Sequence, residues 1–190
     1  MTDHQQYSSY LTNRSWIGSL YRNLILYPRL CKYLKFKTLD VGCGIGDMLQ
    51  FRPNTIGVDV NPFNVEICND QGLPAQVMDV DLLPFTEGIF DSVLLDNVLE
   101  HIESPNELLR EIYRVLVDGG RLIVGVPGIK GQNSDLDHLV YYDESALMNL
   151  AAKNNFIIKK FFYMPLFKSQ WLSIKVRQYC IYSVWVKYKN

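Results

Sequence analysis

Gly42, Gly44 and Gly46, spaced two apart in Asp40-Val41-Gly42-Cys43-Gly44-Ile45-Gly46-Asp47, are residues whose type and spacing can do chemistry. An apolar run with a β-branched residue feeds straight into them, so a buried strand can turn tightly and its backbone can approach a ligand with no Cβ in the way. A dinucleotide site uses G-x-G-x-x-G, whose third glycine lets a helix pack closely beneath a pyrophosphate. Here the pattern is G-x-G-x-G, and Asp47 stands where that third glycine would be. A carboxylate at that position repels a pyrophosphate. The turn therefore predicts a nucleotide-like cofactor without phosphate and disfavours a nicotinamide-dependent dehydrogenase. Cys43 lies inside the turn with no base at a recognised offset, so it reads as a small tolerated side chain and not as a nucleophile.

Three further aspartates follow apolar runs. Thr55-Ile56-Gly57-Val58-Asp59-Val60 ends in a carboxylate placed to accept the two hydroxyls of a ribose at the carboxyl edge of a neighbouring strand. Met78-Asp79-Val80 offers an acceptor for the exocyclic amine of an adenine, and Leu95-Asp96-Asn97 closes a fourth run. All three are acceptors and none binds phosphate. The implied ligand has an adenine, a ribose and a cationic or polar tail. Strand-end aspartates also cap the helices that follow them, and that purely structural use competes with binding at each position.

Positioning such a set requires a parallel sheet. Short apolar runs at 38–41, 56–59, 75–78, 91–95 and 121–126 recur with helical spacers, which is the α/β pattern. Between the last two, Ser104-Pro105 offers a helix start, Leu108, Ile112, Val115 and Leu116 form an apolar face, and Asp118-Gly119-Gly120 is expected to stop the helix. Upstream, 14–34 reads as one or two amphipathic helices interrupted near Pro28. Downstream come a polar loop over 128–137, a helix over 143–154 and two strands, 156–164 and 179–188. The connection at 165–176 is too long for a tight hairpin, so it is expected to carry a short helix or a loop facing the acceptor.

The chain has 190 residues, enough for one domain with a single substantial core. The polar start, 1–13, lacks the pattern of a signal peptide, and no run approaches the roughly 18 apolar residues of a membrane span, so a cytoplasmic protein is expected. Four scattered cysteines form no C-x-x-C pair, and no metal site is expected. The net charge of −1 hides a segregation. Residues 1–37 carry six basic and one acidic residue, 38–145 five basic and nineteen acidic, and 146–190 eight basic and none acidic. Either the basic ends pack near the acidic centre or they form a basic, aromatic-rich surface for an anionic substrate or partner.

These residues resemble the class I S-adenosylmethionine-dependent methyltransferases, in particular the small-molecule (type 11 domain) group. The resemblance runs in order through Leu39-Asp40-Val41-Gly42-Cys43-Gly44-Ile45-Gly46, Gly57-Val58-Asp59, Asp79-Val80 before Leu83-Pro84-Phe85, Phe90-Asp91-Ser92-Val93 to Val98-Leu99-Glu100-His101-Ile102, and Leu108-Leu109-Arg110-Glu111 to Gly119-Gly120-Arg121-Leu122. It implies a Rossmann-like three-layer sandwich with a mostly parallel seven-stranded sheet, one strand of which is antiparallel. It implies a single methyltransferase domain over 1–190: a helical cover (1–37), a cofactor-binding core (38–126) and an acceptor-side segment (127–190). It implies S-adenosylmethionine as cofactor, with Asp40, Gly42, Cys43, Gly44 and Gly46 at the methionine end, Asp59 and Val60 at the ribose, Asp79 and Val80 around the adenine, and Asp96 and Asn97 near the amino-acid tail. The implied activity is methyl transfer to a small molecule, at oxygen or carbon before nitrogen. A catalytically inactive S-adenosylmethionine-binding subunit is the alternative.

Transfer from a sulfonium needs positioning above all, and a base only where the acceptor must lose a proton. His138 and His101 are the candidate bases. Nucleic acid is a disfavoured acceptor, because Asp96-Asn97-Val98-Leu99 stands where amino-methylating nucleic-acid enzymes carry an Asn-Pro-Pro-Tyr type tetrad, and no Pro-Cys nucleophile is present. The lysines and aromatics of 159–179 suit an anionic or lipid-linked acceptor, although solvated lysines on an alternating strand explain much of that pattern.

Overall fold

The computed structural model describes residue 11 and residues 16–188. Arg14, the expected start of the first helix, lies outside them, as does most of the polar start. The described chain forms a seven-stranded sheet in the order β3-β2-β1-β4-β5-β7-β6. Its strands are β1 (Thr38–Val41), β2 (Thr55–Asp59), β3 (Ala75–Val77), β4 (Phe90–Asp96), β5 (Leu116–Pro127), β6 (Phe156–Met164) and β7 (Cys180–Lys187). Strands β1 to β5 pair in parallel, and β7 is antiparallel to both neighbours, β5 and β6. The strand order reverses at β1, which lies between β2 and β4, so a crevice opens at the carboxyl ends of β1 and β4.

Alternating side chains divide the sheet into two buried faces. Val93 and Leu95 of β4, Leu122, Val124 and Val126 of β5 and Trp185 of β7 pack with Leu108, Leu109, Ile112 and Val115 of helix α5 (Asn106–Val115) and Leu147 and Ala151 of α7 (Glu144–Lys153). Leu94, Ile123, Tyr182 and Val184 point the other way, against Leu26, Tyr27, Leu30 and Leu34. A separate cluster, Cys43, Leu49, Val65, Cys68 and Ala75, joins α3 (Asp47–Phe51) and α4 (Pro62–Asp70) to the β2–β3 side. These are the three layers that the sequence implies.

Four local expectations change. The N-terminal helix is α1 (Trp16–Tyr21), a π-helical turn (Arg22–Leu26) and α2 (Tyr27–Cys31). The wider π turn alters which residues share a face, so the stripe formed by Trp16, Leu20 and Leu24 is exposed while Leu26, Tyr27 and Leu30 are buried. Asp118-Gly119-Gly120 does not stop a helix. Helix α5 already ends at Val115, and these residues form a bulge within β5, between the pairs Phe90–Leu116 and Ser92–Arg121, with Gly119 at φ +68°. Ser104-Pro105 precedes α5, which starts at Asn106. The loop at 128–137 holds a short helix, α6 (Ile129–Gln132), and the expected helix in the β6–β7 connection is α8 (Gln170–Lys175).

The basic ends do meet the acidic centre. Arg22 pairs with Asp47 at 3.1 Å, Lys168 with Glu144 at 2.6 Å and Lys187 with Asp118 at 3.9 Å. Lys159, Lys160, Lys175 and Arg177 remain exposed. Among the described residues no helix is long and apolar enough to cross a membrane.

Candidate functional site

Strand β1 delivers Asp40 and the glycine turn to the switch point. Gly42, Gly44 and Gly46 have φ of +75°, +54° and +86°, the left-handed region that glycine enters without a Cβ clash. The turn is held from below, where the N–H groups of Gly42 and Cys43 both donate to the Val58 carbonyl, at 2.8 and 3.1 Å. Space is limiting as well. A Cβ on Gly42 would lie 2.6 Å from Val98 Cγ2, and one on Gly46 would lie 2.7 Å from Leu73 Cδ1. Above the turn, Leu11 is buried and its Cδ1 would stand 3.3 Å from a Cβ on Gly44, so this side chain rests on the loop.

Asp59, at the end of β2, is buried and bonded on both oxygens. Oδ2 accepts from Gly44 N–H and Oδ1 from Asn61 N–H, each at 2.8 Å. The carboxylate thus ties the glycine turn to the start of α4, where Asn61 caps by accepting from Phe63 N–H at 3.0 Å. These structural bonds do not by themselves preclude ligand binding by Asp59, because a carboxylate oxygen accepts more than one bond. Val60 beside it is exposed.

Asp96 ends β4. Its Oδ1 accepts from the Tyr182 hydroxyl at 2.7 Å and from Asn97 Nδ2 at 2.9 Å. Asn97 holds φ +54°, a conformation rare for a residue with a Cβ, and its N–H donates to Gly125 O at 2.9 Å. This bond carries the β4–β5 ladder one step past the strand tip. Asp59 and Asp96 end β2 and β4, and Asp40 is the penultimate residue of β1 between them; burial pushes the Asp40 carboxyl well above its usual range, with the charges of Asp96 and Asp59 adding to the effect.

The structure brings together Asp40, Gly42, Cys43, Gly44, Gly46, Asp59, Asp96 and Asn97. Asp79 and Val80 stand apart on the β3 side: β3 ends at Val77, both residues are exposed, and Asp79 makes an isolated bridge with Leu82. The Cys43 thiol is buried, and its bond to Cys68 together with that burial raises it above its usual value, which suits an inert filler.

His101 ends the 3-10 turn Leu99–His101 after β4 and meets His138, from the loop after α6, edge to face at 4.7 Å between ring centres. His138 Nε2 lies 3.9 Å from Glu100 Oε1 and 3.9 Å from Asp135 Oδ2. Burial, followed by the neighbouring His101, lowers the His138 pKa, which keeps that ring neutral and able to take a proton near pH 7. Glu100 is fully buried and, among the described residues, neither carboxyl oxygen has a hydrogen-bond partner. Burial pushes it up to about 8, with the charges of Asp96 and Asp135 adding to the shift.

The sequence reading missed Glu100, Tyr182 and Gly125. A Cβ on Gly125 would lie 2.3 Å from Tyr182 Cε1 and 2.6 Å from Asp96 Oδ1. A glycine in the middle of an apolar strand was the available signal, since it marks a close approach.

Residues 39–124 match the family model described as a methyltransferase domain. The match covers slightly under half of the chain. Related sequences include methyltransferase GfsG of Streptomyces halstedii, 31% identical over 124 residues, or 58% of this chain and 45% of that protein. The probable tRNA methyltransferase 9B of Homo sapiens is 32% identical over 117 residues, 56% of this chain and 26% of that protein. In both cases the chain spans less than half of the relative. Among solved structures, an S-adenosylmethionine-dependent methyltransferase from Thermotoga maritima, described as a possible histamine N-methyltransferase, superposes with a TM-score of 0.75 at 18% identity, covering 96% of this chain and 98% of that one. The chain thus shares the fold of this S-adenosylmethionine-dependent methyltransferase. Its site would suit S-adenosylmethionine: a glycine turn that would clash with Cβ atoms, and three clustered carboxylates that favour a cationic ligand with hydroxyl and amine donors over a phosphate.

Proposed function

We propose that this protein transfers a methyl group from S-adenosylmethionine to a small-molecule acceptor, at oxygen or carbon. The observation that carries the proposal is the convergence of Asp40, Asp59 and Asp96 on a phosphate-averse glycine turn beneath Leu11. In this reading Asp59 and Val60 take the ribose, Asp79 and Val80 frame the adenine from the β3 side, and the turn with Asp40, Asp96 and Asn97 holds the methionine end. The cofactor supplies an activated methyl, so an acceptor lone pair forms the new bond to carbon while the carbon–sulfur pair stays on sulfur.

What the chain supplies is placement. The N-terminal helices cover one side of the site: Tyr21 feels the charge of Asp96, and Tyr27 that of Asp47 and Asp40. Segment 127–190 brings the other side, with His138 reaching His101 beside the β4 tip. Neutral His138, or His101, receives the proton when the acceptor is a hydroxyl or a carbon acid. The exposed lysines of the β6–β7 region favour an anionic or lipid-linked acceptor.

Calorimetry tests the proposal directly. S-Adenosylhomocysteine should bind one site and NADH should not, and a screen of phenolic acids, acidic sugars and phosphorylated metabolites should yield an acceptor that gains labelled methyl. Tighter binding of NADH would overturn the cofactor assignment, and cofactor binding with no labelled product would favour an inactive S-adenosylmethionine-binding subunit.

A further inference from the structure

We infer that Glu100, His101 and His138 form a binding site for one divalent transition-metal cation. One ligand atom from each of the three lies within 4.8 Å of the others. Around a cation with bonds of about 2.1 Å, tetrahedral ligand atoms are roughly 3.4 Å apart, so small side-chain rotations close the set.

The hydrogen bonding of the cluster carries the inference. His101 Nδ1 lies 3.0 Å from Asp137 O, and His138 Nδ1 lies 3.2 Å from Gln132 O. A carbonyl can only accept, so each Nδ1 bears the hydrogen and each Nε2 keeps its lone pair. This is how metal-binding imidazoles are oriented, with the far ring nitrogen tied to a carbonyl or carboxylate. Beside these lone pairs sits a carboxyl with 0% exposure and, among the described residues, no hydrogen-bond partner on either oxygen. Burying such a group unpartnered is costly. Two imidazole lone pairs and a buried carboxyl converge on one point, a donor set that suits a cation taking the place of the carboxyl proton.

The frame around it is fixed. Leu139 and Val140 donate their N–H groups to the Glu100 carbonyl at 2.7 and 3.1 Å, locking the loop that carries His138 to the turn that carries Glu100 and His101. Asp135, 3.9 Å from His138 Nε2 and partly exposed, can supply a fourth ligand. Two imidazoles and one or two carboxylates favour zinc, cobalt, manganese or ferrous iron over magnesium or calcium, which prefer all-oxygen shells. The inference meets the methyl-transfer reading at one point: with a cation bound, both Nε2 lone pairs are engaged and neither histidine takes the acceptor's proton, while the cofactor assignment is unaffected.

The experiment uses the whole protein stripped with a chelator and titrated with cobalt(II). One cobalt ion should bind per chain with visible d–d absorption, displaceable by zinc, and should raise the melting temperature. His138→Ala and His101→Ala should each weaken binding by about tenfold or more, with Glu100→Gln as the third variant. Cys43→Ser should leave the spectrum unchanged. Because His138 lies in a loop, its variant keeps the test valid if Glu100→Gln does not fold. Absence of stoichiometric cobalt binding, or binding that survives both histidine substitutions, would overturn the inference. Affinity for S-adenosylhomocysteine, measured on the metal-free protein, reports separately on the proposed function.

Discussion

The Tyr182 hydroxyl on β7 donates to Asp96 Oδ1 at the tip of β4, across 2.7 Å. Strand β5 lies between them in the sheet, and Gly125 makes the contact possible because any Cβ there would strike both partners. Tyr182→Phe removes the donor and leaves Asp96 with less support. We expect a loss of about 1–2 kcal/mol in stability, checked by denaturant unfolding. Gly125→Ala should cost more, since it displaces a ring that is itself fully buried.

Gly46→Ala combines two penalties. The backbone sits at φ +86°, and the new methyl meets Leu73 and Cys68, the latter at 3.0 Å. The variant should lose more than about 1 kcal/mol of stability, and its affinity for S-adenosylhomocysteine should fall as the turn shifts. Thermal unfolding and calorimetry on one preparation check both effects.

Asp59→Ala frees the N–H groups of Gly44 and Asn61 as well as removing the proposed ribose acceptor. Cofactor affinity should weaken by about 1–3 kcal/mol. Asp59→Glu is the informative companion: it keeps the charge but misplaces the oxygens, so affinity close to wild type would show that charge alone suffices.

Acid stability has an identifiable source in Glu111. The Arg114 guanidinium beside it holds its carboxyl below the usual range, and Leu83 N–H donates to the same carboxylate at 3.0 Å. A depressed carboxyl contributes stability above its unfolded pKa and loses it as pH falls through the folded value. Arg114 also donates to Phe85 O at 2.7 Å and Leu83 O at 3.2 Å, so the pair pins the loop between β3 and β4. Glu111→Gln should lower stability by about 1–2 kcal/mol at pH 7. Wild type and variant should converge at pH values well below the ordinary carboxyl range, which unfolding curves across pH would show.

Most of the sheet was legible because buried parallel strands leave short apolar runs ended by aspartate or glycine, and 38–41 and 156–164 match β1 and β6 residue for residue. The glycine turn was legible because only one residue type fits its geometry. The outward stripe of α1 and the bulge at Asp118-Gly119-Gly120 were not, since a π turn and a strand bulge insert residues that periodicity cannot register. Glu100 escaped notice for another reason: a carboxylate in a 3-10 turn reads as solvent-facing, and its burial depends on a loop that returns from residue 138. Contacts between distant segments, such as Tyr182 with Asp96, leave no local pattern.

The placement of β7 between β5 and β6 bears on modularity. The family match ends at residue 124, but β5 pairs along its length with a strand that begins at residue 180. Cut after its last matched residue, the first half would carry a bare apolar edge and an Asp96 deprived of its hydroxyl donor. Segment 127–190 is thus no detachable accessory: any exchange of it for another, by engineering or by descent, must bring along a strand that seals β5 and a side chain that reaches Asp96. Diversity in that segment is constrained from within the sheet.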